Sequence, residues 1–159
     1  VTLNHDGDIA VTNGTITIDG NPIGGINADS GYYSPTVGGA QATCLGSTWS
    51  PTTISSNCAQ YIKVGNVVNV SGQLTITNGV GTEPAAIYIT LPSASTITNK
   101  CQIAGTAVGE CVSSINTPPQ VYGRIYGDTT FNTAICEFFD LYAATTTFQM
   151  SYHFTYHIN

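Results

Sequence analysis

Tyr61-Ile62-Lys63-Val64-Gly65-Asn66-Val67-Val68-Asn69-Val70-Ser71-Gly72-Gln73-Leu74-Thr75-Ile76 reads as a β-hairpin with its turn written in. Gly65 and Asn66 tolerate positive φ and sit between β-branched runs, which suits a tight two-residue turn of type II′, with glycine at its first central position. Past the turn, Val68, Val70, Leu74 and Ile76 fall on one face with Gly72 between them. Asn69, Ser71, Gln73 and Thr75 fall on the other. That period of two belongs to a strand with one buried and one wet face. Before the turn, Ile62 and Val64 supply the apolar positions, and Tyr61 and Lys63 the alternate ones. None of these residues is reactive, so the segment predicts a scaffold whose surface carries the function.

The rest of the chain extends this pattern. Strands are expected near Tyr32–Val37, Ala40–Trp49, Cys58–Val64, Val67–Thr77, Ala85–Leu91, Cys101–Ala107, Val121–Tyr126, Phe131–Leu141 and Thr146–Ile158. Breaks at Gly38-Gly39, Ser50-Pro51, Gly65-Asn66, Asn78 to Pro84, Pro92 to Asn99, Gly109, Thr117-Pro118-Pro119 and Gly127-Asp128 divide them. No window has a helical period. The last strand is the clearest: Phe148, Met150, Tyr152, Phe154, Tyr156 and Ile158 share one face, and Gln149, Ser151, His153, Thr155 and His157 the other. At about 1.5–3 kcal/mol for each large apolar side chain fully buried, it is a core-closing strand. The expected fold is all-β, an antiparallel, jelly-roll-like β-sandwich over residues 30–159.

Residues 1–29 read differently. Short alternating runs, Ile9-Ala10-Val11-Thr12 and Thr15-Ile16-Thr17-Ile18, are punctuated by Asp6-Gly7-Asp8, Asn13-Gly14, Asp19-Gly20 and Asn21-Pro22. Such runs form no core alone. They fit a stalk or linker in which several chains wrap together, or an N-terminal hairpin packed on the domain. The chain starts at Val1 and its only methionine is Met150, so a fragment or processed product of a longer protein is expected, with a natural C-terminus at Asn159.

Composition narrows the function. A chain of 159 residues allows one domain, and 42% apolar residues suffice for a core. Only 8% are charged, against about 25% in an average soluble protein, so Thr, Ser, Asn and Gln carry solubility. Net charge is −6, and Lys63, Lys100 and Arg124 are the only cations. Nucleic acid, whose affinity rests on basic residues, is excluded as a partner. An anionic membrane surface is disfavoured, and no apolar run reaches the roughly 18 residues of a membrane span. The five cysteines, Cys44, Cys58, Cys101, Cys111 and Cys136, show no CxxC and no zinc spacing. They read as mostly free, buried thiols, or as one or two disulfides with Cys101–Cys111 the nearest candidate.

No catalytic set, metal site or cofactor site is expected. Asp128, Glu137 and Asp140 are read as surface charge rather than as the paired carboxylates of a glycosidase. Asp6-Gly7-Asp8 lacks the full calcium-loop spacing. His153 and His157 share a strand face with Cα atoms about 13 Å apart, too far to clamp one metal. In a trimer each would form a ring on the axis. His5 has no partner by spacing. The best binding candidate is Tyr122, Arg124, Tyr126 and Asp128, which line one face of a strand, with Gly123 and Gly127 leaving room around them. Two aromatic rings with a guanidinium and a carboxylate suit a sugar: rings stack on C–H faces and charged groups hydrogen-bond hydroxyls. The bland reading is that these tyrosines pack against a neighbouring sheet or subunit. Tyr32-Tyr33 and Trp49 are read as packing, and Tyr88 as exposed or at an interface.

The hairpin, followed by Ile87-Tyr88-Ile89-Thr90-Leu91-Pro92, preceded by Trp49-Ser50-Pro51-Thr52 and closed by the terminal aromatic strand, resembles the C-terminal domains of bacteriophage tail fibres and tailspikes. The resemblance covers under half of the chain. It implies a homotrimer at a fibre tip on the virion surface, which binds a host cell-surface glycan or protein without enzymatic activity. A purely structural cap that trimerises the fibre and a secreted carbohydrate-binding module are the alternatives.

Overall fold

The computed structural model describes residues 28–40, 53–77, 85–111, 120–139 and 147–158, together with four two-residue strands near the N-terminus. Those four are β1 (Thr2–Leu3), β2 (Ile9–Ala10), β3 (Thr17–Ile18) and β4 (Asn21–Pro22); β1 pairs with β2 and β3 with β4. The longer strands are β5 (Ala28–Tyr33), β6 (Val37–Ala40), β7 (Thr53–Val64), β8 (Val67–Thr77), β9 (Ala85–Ile89), β10 (Ile103–Cys111), β11 (Gln120–Asp128), β12 (Thr133–Phe139) and β13 (Thr147–His157). The expected segments Ala40–Trp49, Asp6-Gly7-Asp8 and Trp49-Ser50-Pro51-Thr52, with His5, Cys44 and Asp140, lie largely or wholly outside the described residues.

The fold is all-β and antiparallel. The nine longer strands form one sheet in the order β5-β7-β8-β13-β10-β11-β12-β9-β6. The layers are therefore not two separate sheets. β13 holds the halves together by pairing with β8 on one side and β10 on the other. The sheet curls until its ends meet: β6 lies against β7, and the Tyr33 hydroxyl at the end of β5 donates to the Thr90 carbonyl just past β9 at 3.4 Å. Curling gives every strand an inner and an outer face.

The hairpin forms with the expected turn. Val64 pairs with Val67, and Gly65 has φ +58° while Asn66 does not take positive φ, as type II′ requires. Val68, Val70, Leu74 and Ile76 are all buried. One expectation is overturned. Ile62 is 55% exposed and Val64 also faces outward, whereas Tyr61 packs against the core. Antiparallel pairing forces this result: Tyr61 is opposite Val70 and Ile62 opposite Asn69, and directly opposed residues share a face. A bulge between Ser56 and Cys58 reverses the phase along β7, so Ile54 still reaches the core.

The inner face carries Phe148, Met150, Tyr152, Phe154 and Tyr156 of β13, with Ile87 and Ile89 of β9 and Ala134, Cys136 and Phe138 of β12. Space for the aromatics comes from glycines opposite them. Gly72 faces Tyr152, and Gly105 faces Phe154. A Cβ on Gly72 would overlap the Tyr152 hydroxyl. A short 3-10 turn at Lys100–Gln102, absent from the sequence reading, is capped by Asn99 and Gln102 in a reciprocal box. Such a turn is too short to show a helical period.

Cys58, Cys101 and Cys136 are free thiols, so the Cys101–Cys111 bridge does not form. Of the three, only Cys136 is buried as expected; Cys58 and Cys101 are exposed. Burial, aided by the adjacent Glu137, pushes the Cys136 thiol far up and keeps it unreactive.

Buried phenols make the fold sensitive to alkali. Burial raises Tyr152 to about 12. It raises Tyr33 further, helped by the neighbouring Tyr152, and it raises Tyr156 against the opposing hydrogen bonds to Ser93. An unfolded tyrosine ionises near 10, so above that pH the unfolded chain binds fewer protons than the native one. Stability is then fully present below about pH 10 and falls as pH rises through about 12. A thermal melt series, with tyrosinate absorbance followed in parallel, checks this. A melting temperature unchanged across that window would show the phenols to be solvated.

Candidate functional site

The outer face of β10, β11 and β12 holds the predicted residues. Tyr122, Arg124, Tyr126 and Asp128 alternate along β11 away from the core, while Ile125 and Gly127 are buried on the other side. Register then fixes their neighbours. Thr106 on β10 lies opposite both Arg124 and His153 of β13, and Val108 lies opposite both Tyr122 and Ser151. At about 4.8 Å per strand spacing, His153 and Arg124 stand about 10 Å apart across Thr106. Ala104 and Thr106 are short side chains, so a shallow floor runs between the two. His153 is exposed, and so is His157 farther along β13.

Arg124 is held from beneath. Its Nε and one terminal guanidinium nitrogen both reach Glu137 Oε2 at 2.6 Å. The arginine side chain is 56% exposed and that of Glu137 1%. A carboxylate this buried is stable as an ion only with a charged partner, so the pair fixes the guanidinium where solvent meets the sheet. Glu137 is therefore not the surface charge that the sequence suggested. Its burial follows from β12 being covered on both faces, with Ala134, Cys136 and Phe138 inside and Thr133, Ile135 and Glu137 outside.

Tyr126 lies close to two cations. Lys100 Nζ is 5.3 Å and Arg124 Cζ 5.6 Å from its ring centroid, within cation–π range. The same ring packs on a small outer cluster of Ala86 and Ile135 together with Tyr88. Tyr88 is thus half-buried beside Tyr126. Tyr122 is 52% exposed.

Of the four predicted residues, Arg124 and Tyr126 are in cation–π contact, Tyr122 shares their strand face two positions along from Arg124, and Asp128 stands apart. The Asp128 carboxylate accepts from the Thr130 backbone N–H at 2.8 Å and caps the β11–β12 turn. It shares the face of Arg124 but stands four residues away, about 13 Å along the strand. Glu137, Lys100 and Thr106 were missed. A hairpin signal was present for Glu137, because a four-residue turn at 129–132 brings it opposite Arg124. Placing the break at Gly127-Asp128 shifts that register and hides the pair. Lys100 reaches Tyr126 only through the 3-10 turn.

Of the other aromatics, Tyr32 is exposed on β5, and Tyr33 packs at the core edge with its ring perpendicular to Tyr61. No group of three or more metal-ligating side chains is gathered among the described residues. No helix among them is long and apolar enough to cross a membrane. No protein-family model, curated protein or solved structure matches the chain.

Proposed function

We propose that this chain is the non-enzymatic tip domain of a phage fibre, which trimerises on the virion surface and binds a host cell-surface glycan. The observation that carries the glycan part is the rigid array on β11. Tyr122 offers an exposed ring, Arg124 a guanidinium held by a buried carboxylate, and Tyr126 a ring within cation–π range of Lys100 and Arg124. A floor of Ala104 and Thr106 beside them leaves room for a flat ligand. Pre-organised donors and rings lose little entropy on binding, which helps a weak single-site contact. Three copies per fibre then raise the avidity. The resemblance of the Gly65-Asn66 hairpin and the closing aromatic strand to fibre tips supports the viral setting.

A glycan array and a competition assay for adsorption to host cells test the reading. Tyr122→Ala is the informative variant, because removing Arg124 would leave Glu137 buried without its charge partner. Its array signal is expected to fall at least tenfold, which is about 1.4 kcal/mol per site. Light scattering is expected to give three times the 16.6 kDa chain mass. A monomer that binds no glycan would overturn the proposal. The outward-facing Ile62, Val64 and Val108 favour a second, structural reading in which the sheet face is an interface between copies. A trimer that neither binds cells nor blocks infection would establish it.

A further inference from the structure

We infer that a second, separate cleft at the end of the β11–β12 hairpin binds an uncharged sugar ring. It lies between the 90–96 segment after β9 and the turn at 131–133, and it measures about 430 Å³. Small-ligand sites occupy about 300–1,000 Å³. The inference rests on the glycan-binding reading above and adds a contact remote from Arg124.

Three observations point to that ligand class. First, Phe131 lines the cleft and is 76% exposed. A phenyl ring kept in water beside a cleft is placed to stack on the C–H face of a ring ligand. Second, the lining is uncharged. Leu91 and Phe131 supply apolar surface, and Thr96 and Asn132 line it with a hydroxyl and an amide. Apolar surface beside neutral hydrogen-bonding groups matches a hexose and gives a carboxylated or sulfated sugar no counter-charge.

Third, the walls are held in place before any ligand arrives. Asn132 adopts φ +55°, and its Oδ1 accepts from the Ile97 backbone N–H at 2.8 Å, tying the turn to the facing segment. The Ser95 hydroxyl donates to the His157 carbonyl at 2.9 Å, and the Tyr156 hydroxyl donates to the Ser93 carbonyl at 2.8 Å. The segment is thereby fastened to β13. Asparagine takes the left-handed conformation more readily than other non-glycine residues, which suits Asn132 to the last position of the turn.

Saturation-transfer NMR tests the inference on the intact chain. The probes are methyl glycosides of glucose, galactose and mannose, N-acetylglucosamine, and glucuronic acid as the charged comparison. At least one neutral glycoside is expected to receive saturation, and glucuronic acid none. Phe131→Ala is expected to weaken that signal at least tenfold while leaving the melting temperature unchanged, since the ring is mostly solvated. Full binding by Phe131→Ala would overturn the cleft, and if Tyr122→Ala then lost binding, the β11 site would stand alone. Saturation of glucuronic acid alone would also overturn the cleft while leaving the broader reading in place. No saturation with any probe, together with an empty glycan array, would remove both.

Discussion

Phe154→Ala is expected to lower the unfolding free energy by about 3–5 kcal/mol. Phe154 is completely buried on β13, the strand that pairs with β8 and β10 at once. Its ring is stacked 6.0 Å from Tyr152 at 17° and lies 6.3 Å from Tyr156. Deleting it empties the centre of an aromatic row whose members are hydrogen-bonded through their backbones on both sides. The sheet cannot collapse inward without breaking those ladders, so most of the cavity persists. Against a total stability of about 5–15 kcal/mol, the loss is a large fraction. Urea unfolding measures it through the midpoint at constant slope. A cost below about 1 kcal/mol would mean that the ring does not sit in the core.

Gly105→Ala is the second large effect, and it works by the opposite route. Gly105 is opposite Phe154, and a Cβ placed on it would overlap the His153 carbonyl oxygen and come within 2.5 Å of the Phe154 Cβ. The first of these contacts is with backbone. A rotamer change cannot relieve it, and β10 would have to move away from β13. Overpacking typically costs about 1–3 kcal/mol, and the backbone contact puts this site at the top of that range. The same urea series reads it. Combining Gly105→Ala with Phe154→Ala should give nearly additive losses, because alanine at 154 keeps the Cβ and leaves in place the His153 carbonyl that obstructs position 105. Strong relief in the double variant would show that the phenyl ring, not the backbone, is the obstacle.

The two cases show how much of the fold was legible. Alternation along residues 67–77 and 147–157 named the buried face of β8 and β13 correctly, residue by residue. It named the wrong face for Ile62 and Val64, because alternation assigns phase only within one strand. Pairing across the turn sets the phase of the next strand, and a bulge resets it again. Strand ends were displaced where proline and glycine intervene. The expected strand Tyr32–Val37 is divided between β5 and β6, with a buried Pro35 between them.

At the candidate site the alternation placed Tyr122, Arg124, Tyr126 and Asp128 on one face, as found. It could not say that Asp128 is occupied with its own turn, nor that Arg124 stands on a buried glutamate. The Phe131 cleft left no trace in the linear pattern. Its walls come from segments some 35 residues apart, tied by the hydrogen bond from the Ile97 backbone to Asn132.

By itself, the chain's order of residues determined that it would be a pleated, antiparallel, charge-poor protein with its aromatic strand inside. Those properties depend on neighbours two positions apart, which a strand's geometry reads directly. Only the tertiary structure decided which strands adjoin, that the layers are one curled sheet, and which groups meet on its exterior. These depend on register and curvature, which are set by contacts between residues far apart in the chain.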